Sequence, residues 1–172
     1  MDRVDIVVIL GSESDLETVR NSKLPTILDV VGVNYETAVI SAHRNPRELD
    51  AFVTRCVNHD AKVFIGVAGM AAALPGSIVS SLQAIDKMLP VIGVPLPEYP
   101  NSHDALFSIV RLPGGIPAGV CGIGASGLQN AALFACQIVA LTDELVSKRL
   151  TNYMSTNVKP PRFDVKLTEE KS

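Results

Sequence analysis

Two short polar segments carry the residue types that could do chemistry. Gly11-Ser12-Glu13-Ser14-Asp15 sets two hydroxyls, a carboxylate and backbone N–H groups in a turn that opens a helix. Such a turn suits a phosphate monoester, because N–H and O–H groups converge on its oxygens. A plain helix cap would explain any one of these serines or Asp15. Ser41-Ala42-His43-Arg44 places an imidazole beside a guanidinium at the end of the next apolar run. Arginine grips phosphate through paired hydrogen bonds, and histidine exchanges protons near neutral pH. Alone, His43 reads as a solvent-touching residue at a helix start. Facing the first segment from a neighbouring strand, it reads as part of a shared site.

The other candidate motifs yield less. His59 ends a helix, where a cation suits the dipole, and His103 lies near a helix start as a possible cap. Neither has a Cys, Asp or Glu partner at ligand spacing, so no metal is assigned. Gly122-Ile123-Gly124-Ala125-Ser126-Gly127 fits G-x-G-x-x-G, but it sits in the last strand–helix unit. A dinucleotide fingerprint opens the first unit and has an acidic residue ending the next strand. Here Asp143 and Glu144 fall within the expected final helix, so a close-packed turn is the better reading. No Walker lysine, G-x-S-x-G elbow, carboxylate pair or clustered thiol is present. No cofactor is expected.

The elements that must hold these loops alternate along the chain. Strands are expected at Asp5–Leu10, Tyr35–Ile40, Lys62–Val67, Val91–Val94 and Ala118–Cys121, as short apolar runs suited to burial on both faces. Helices are expected from Asp15 to about Val31 with a kink or break at Pro25, and from Pro46 to about His59. Further helices are expected after the small-residue loop Ala68–Gly76 to about Lys87, at Ser102–Arg111, and as one long helix from Ser126 to about Tyr153. The pattern is α/β: a three-layer sandwich around a five-stranded parallel sheet. Ligands in such sheets bind at the carboxyl ends of the strands, which selects loops 11–15, 41–45, 68–76, 95–100 and 114–117. One catalytic domain is expected over residues 1–154, with 155–172 as an arm or disordered tail.

Composition narrows the class. The chain has 172 residues, 47% hydrophobic and 19% charged, with a net charge of −3. Its mean hydropathy of +0.28 is high. The charge-free stretch from Leu112 to Thr142 is broken by Pro113, Pro117 and six glycines, short of the roughly 20 apolar residues a spanning helix needs. Burial against copies of the same chain accounts better for the low charge, so a homo-oligomer is expected and a membrane protein is not. Lysines and arginines are scattered, which argues against a nucleic-acid partner. Three cysteines without C-x-x-C spacing and no leader-like start point to the reducing cytoplasm.

Five segments occur in order: Val8–Asp15, Ile40–Pro46, Ala71-Ala72-Ala73-Leu74-Pro75-Gly76, Pro90–Pro95, and Leu106-Phe107-Ser108-Ile109-Val110-Arg111-Leu112-Pro113-Gly114-Gly115-Ile116-Pro117. Together they resemble the N5-carboxyaminoimidazole ribonucleotide mutase family (PurE), the catalytic subunit of phosphoribosylaminoimidazole carboxylase. The resemblance covers about residues 4–150. It implies a flavodoxin-like domain in an octamer, acting in purine biosynthesis without ATP or metal. The substrate would be a small ribonucleotide, and CO2 would be released and recaptured on the ring. His43 is the implied acid/base residue. Asp15 would hold the ribose, and Ser12 and Arg44 the phosphate, with Ser14 and Ser41 assisting. Ala68, Gly69, Leu74 and Pro75 would close over the flat imidazole ring.

One loop departs from the family's usual Gly-Gly-Ala-Ala-His-Leu-Pro-Gly. Here Met70 replaces a glycine and Ala73 replaces the histidine. The loop also lacks the Ser-Asn signature of the animal-type subclass, which uses CO2 directly. Two alternatives follow: a non-catalytic nucleotide-binding paralogue, or a carboxylase or decarboxylase of a related aromatic ribonucleotide.

Overall fold

The run Ile-Val-Val-Ile-Leu forms β1 (Ile6–Leu10), and all five of its residues are buried. In the computed structural model, which describes residues 3–97 and 103–157, β1 lies between β2 (Tyr35–Val39) and β3 (Val63–Ala68). β4 (Val91–Pro95) pairs with β3, and β5 (Gly119–Val120) closes the far edge. Every pairing is parallel and the order is β2-β1-β3-β4-β5. This is the flavodoxin-like doubly wound order, with its switch point between β1 and β3. Only two residues of the expected last strand, Gly119 and Val120, join the ladder.

Strand alternation sends side chains to two apolar layers. Ile6, Val8 and Leu10 face a core shared with α1 (Asp15–Arg20), α2 (Leu24–Val31), α6 (Gly124–Ala140) and α7 (Glu144–Asn157). Val7 and Ile9 face the opposite core, built with α3 (Pro46–Asn58), α4 (Leu74–Ala84) and α5 (His103–Val110). The sheet is therefore covered on both sides, giving the expected three layers.

Three helix boundaries differ from the expectation, each for a local reason. The first helix breaks, one of the two outcomes expected, but ahead of Pro25 rather than at it: Ser22 Oγ donates to the Val19 carbonyl and accepts from Leu24 N–H, ending α1 and starting α2 with Pro25 in its first turn. The long final helix is two helices. Asp143 Oδ1 accepts from the N–H groups of Leu145 and Val146, a cap that starts α7. Asp143 therefore lies at the junction between two helices and Glu144 is the first residue of α7, rather than both lying inside one long helix. α7 continues to Asn157, past the expected domain boundary at 154.

The third difference bears on the site. α4 starts at Leu74, with Pro75 in its first turn, so the small-residue loop is shorter than expected. Gly66 and Gly93 are paired across β3 and β4. A Cβ on Gly93 would meet Ile109 Cγ2 at 2.7 Å and Pro75 Cγ at 3.1 Å. The bare strands let Pro75 rest on the sheet, which brings the start of α4 down onto the end of β3. No helix among the described residues is long and apolar enough to cross a membrane.

Candidate active site

The site forms where β1, β2 and β3 end side by side. Gly11 N–H donates to the Val67 carbonyl at 2.9 Å, and Ile40 N–H donates to the Leu10 carbonyl at 2.9 Å. These bonds carry the ladder past the strand ends and bring the three following loops to one level. Between them lies a cavity of about 460 Å³, within the range of small-molecule sites.

From the first loop come Gly11, Ser12, Ser14 and Asp15. The Ser14 hydroxyl donates to Ser12 Oγ at 2.9 Å, and Ser14 N–H approaches the same oxygen at 3.3 Å. Ser12 thus keeps its own hydroxyl proton to donate. The plain-cap alternative does not hold for Asp15, because Ser14 occupies the N-cap position of α1. Asp15 is the first helical residue, only 6% exposed, with its carboxylate in the cavity wall.

The second loop adds Ser41, Ala42, His43 and Arg44. Asn45 N–H donates to the Ser41 carbonyl at 2.8 Å, and Arg44 N–H approaches Ser41 Oγ at 3.4 Å. This turn is closed by its own backbone, and Pro46 then starts α3. His43 and Arg44 are exposed, and no carboxylate among the described residues lies in ion-pair range of either. The Arg44 guanidinium is available to an anion.

The third loop, Ala68 to Leu74, completes the wall with methyl groups, backbone and Met70. His43, Ala71 and Ala73 also line a second, open depression of about 520 Å³, whose other walls include Ser77, Ser80, Ser108, Leu112, Pro113 and Ile116.

Of the sequence-nominated residues, Ser12, Ser14, Asp15, Ser41, His43, Arg44, Ala68, Gly69 and Leu74 all line the first cavity. Pro75 does not. It is buried against Gly66 and Gly93 and acts on the site only by seating α4. Ala42, Ala71 and Ala72 line the cavity without having been singled out as site residues. Alanines have no chemical signature, and the run of small residues was their only sign.

The remaining motifs fall away from the cavity. His59 closes α3, and His103 starts α5 with its ring 6.2 Å from that of Phe107. Gly122 has φ 139° and Gly124 φ 58°, and a Cβ on Gly127 would meet the Gly122 carbonyl oxygen. The glycine motif is a close-packed turn, as its position in the chain implied. Among the described residues no three His, Cys, Asp or Glu side chains gather as metal ligands.

Sequence comparison gives a coherent set of matches. The profile of the family described as AIR carboxylase matches residues 5–159. The N5-carboxyaminoimidazole ribonucleotide mutase of Brucella melitensis is 40% identical over 151 residues, covering 87% of this chain and 89% of the relative. The enzyme of the same name from Methanocaldococcus jannaschii is 43% identical over 148 residues, covering 86% and 87%. Among solved structures, Treponema denticola PurE superposes with a TM-score of 0.76 at 25% identity, covering 90% of this chain and 92% of that one.

Proposed function

The chain belongs to the AIR carboxylase family, and from that premise we propose that it converts N5-carboxyaminoimidazole ribonucleotide to 4-carboxy-5-aminoimidazole ribonucleotide in purine biosynthesis. One observation carries the reading: His43 and Arg44 after β2, Ser12 and Asp15 after β1, and the small-residue loop after β3 share one cavity. Arg44 and Ser12 take the phosphate, Asp15 the ribose, and Ser14 and Ser41 assist. The base then lies against Ala68 and Gly69 at the end of β3, with Leu74 anchoring that wall from the core.

The chemistry needs one imidazole cycling one proton. Protonated His43 gives its proton to N5 as the N5–carboxyl bond breaks, releasing CO2 and the free amine. The electron-rich C4 attacks the held CO2, forming the new C–C bond. His43, now neutral, removes the C4 proton and restores the aromatic ring. Proton and carboxyl group are both conserved, so the conversion is an isomerisation that needs no ATP.

The exposed apolar side chains of Phe107, Phe134 and Leu141 are suited to burial against further copies of the chain and support a homo-oligomer; an octamer in the cytoplasm is the form the family resemblance implies. Ala73 favours a second reading, in which the nucleotide binds and turns over slowly. Incubating the protein with each carboxylated and uncarboxylated aminoimidazole ribonucleotide, and following the ultraviolet change on C4 carboxylation, tests both. Absence of any conversion removes the enzymatic reading.

A further inference from the structure

Three non-glycine residues among those described hold a positive φ: Asp60 at 67°, Met70 at 51° and Asp86 at 56°. Asp60 and Asp86 each follow the C-cap of a helix, His59 of α3 and Ile85 of α4. That is a common place for a left-handed residue, and aspartate tolerates it. Met70 differs on both counts. It follows a strand, and its unbranched apolar side chain gains nothing locally from the left-handed region.

The surroundings hold it there. Ala72 N–H donates to the Met70 carbonyl at 2.9 Å, and Ala73 N–H to the Ala71 carbonyl at 2.7 Å. These two tight turns run straight into Leu74 and Pro75, which are buried. These bonds and the buried residues after them favour the loop's present course, with Met70 at positive φ. Backbone strain maintained in this way gathers at ligand sites.

What the strain achieves is the placement of a side chain. Met70 is 64% exposed, yet it lines the cavity together with Ser12, His43 and Arg44. Ala71, Ala72 and Ala73 offer only methyl groups, and Leu74 is already 2% exposed and committed to the core. Met70 is therefore the one large apolar side chain of the cavity wall that a ligand could still cover. A thioether is soft and packs well on an aromatic face.

We propose that Met70 caps the base of the bound ribonucleotide, a specificity-determining contact that selects a flat aromatic ring over a bare sugar phosphate. The proposal rests on the ribonucleotide reading above. It also assigns a purpose to the glycine-to-methionine departure, since the side chain supplies the cover that a loop of small residues lacks.

Calorimetric titration with 5-aminoimidazole ribonucleotide and with ribose 5-phosphate tests it. Met70→Ala should weaken the ribonucleotide about tenfold, on the order expected for losing one apolar contact on a ring, and leave ribose 5-phosphate within about twofold. Met70→Leu should restore most of the loss, because it returns apolar cover without altering the loop. Met70→Gly should show the same affinity loss with a raised thermal midpoint, since glycine accepts the positive φ freely. A Met70→Ala protein that binds the ribonucleotide as tightly as wild type overturns the proposal, as does an equal loss for both ligands. Wild-type protein that binds neither ligand overturns the ribonucleotide reading itself, and the cap with it.

Discussion

The Ser81 hydroxyl lies 2.5 Å from Asp50 Oδ1, joining α4 to α3 on the face of the sheet beneath the site. α3 begins just after His43 and Arg44, and α4 begins just after Ala73. The bond therefore ties together the two helices that follow the loops carrying the proton shuttle and the small-residue wall. Ser81 is buried and also back-bonds to the Ser77 carbonyl at 2.9 Å, whereas Asp50 is exposed. Ser81→Ala should cost about 1–2 kcal/mol of stability, read by chemical denaturation, because a charge-assisted bond to a buried hydroxyl is lost. Asp50→Asn keeps an acceptor at the same place and should cost less. An Asp50→Asn loss as large as that of Ser81→Ala would show that a neutral acceptor cannot replace the carboxylate, and no loss at all would show that its charge contributes nothing.

His43 is assigned both proton transfers. Its replacement by Asn should lower kcat by roughly 10²–10⁴-fold, the usual contribution of general acid–base catalysis. Ribonucleotide affinity should change little, because Arg44, Ser12 and Asp15 are untouched. Near-normal turnover by His43→Asn would sink the mechanism.

Two buried thiols make stability depend on alkaline pH. Burial pushes Cys56 up to about 11, with the nearby Glu36 carboxylate adding to the rise and Arg55 opposing it. Burial alone pushes Cys136 up to about 12, from an ordinary thiol value of 9.0. Between those values the unfolded chain releases thiol protons that the folded chain retains. The stability these thiols contribute is complete below pH 9, then is lost as pH rises through the folded values. The urea midpoint should accordingly fall above about pH 9, and Cys136→Ala should flatten that fall. An unchanged alkaline slope in the variant would assign the loss to other groups.

Most of the fold and site could be read from the residues because apolar runs, glycines and prolines mark parallel strands and their loops plainly. Ser12, Asp15, His43 and Arg44 were legible as chemistry since each follows a strand end, where α/β sheets bind ligands. The break between α6 and α7 was missed because Leu141-Thr142 prolongs an apolar helical stretch, although Asp143 is an ordinary N-cap residue. Pro75 looked like part of the ring-covering loop. Its real place depends on Gly66 and Gly93 being bare on adjacent strands, a tertiary relationship with no local signal. The strain at Met70 was equally invisible, since φ is set by turns that only the folded loop shows.

The departure at Ala73 gives the last prediction. Ala73 lines both the site cavity and the serine-bearing depression beyond it, with His43 and Ala71 forming the rest of the shared wall. An imidazole at this position would project into open space rather than into the core, so Ala73→His should fold normally. If the family's loop histidine only orients the ring or the CO2, this variant should raise kcat or leave it unchanged. The slow-turnover reading requires a different pattern: measurable ribonucleotide affinity, negligible wild-type isomerisation, and activity that appears only when Ala73→His is combined with Met70→Gly. In that double variant the lost methionine cap should also raise KM, separating the two substitutions within one measurement. Steady-state assays of wild type, Ala73→His and the double variant decide the matter. Brisk wild-type turnover eliminates the paralogue, whereas no turnover and no binding in all three would leave the cavity without its nucleotide.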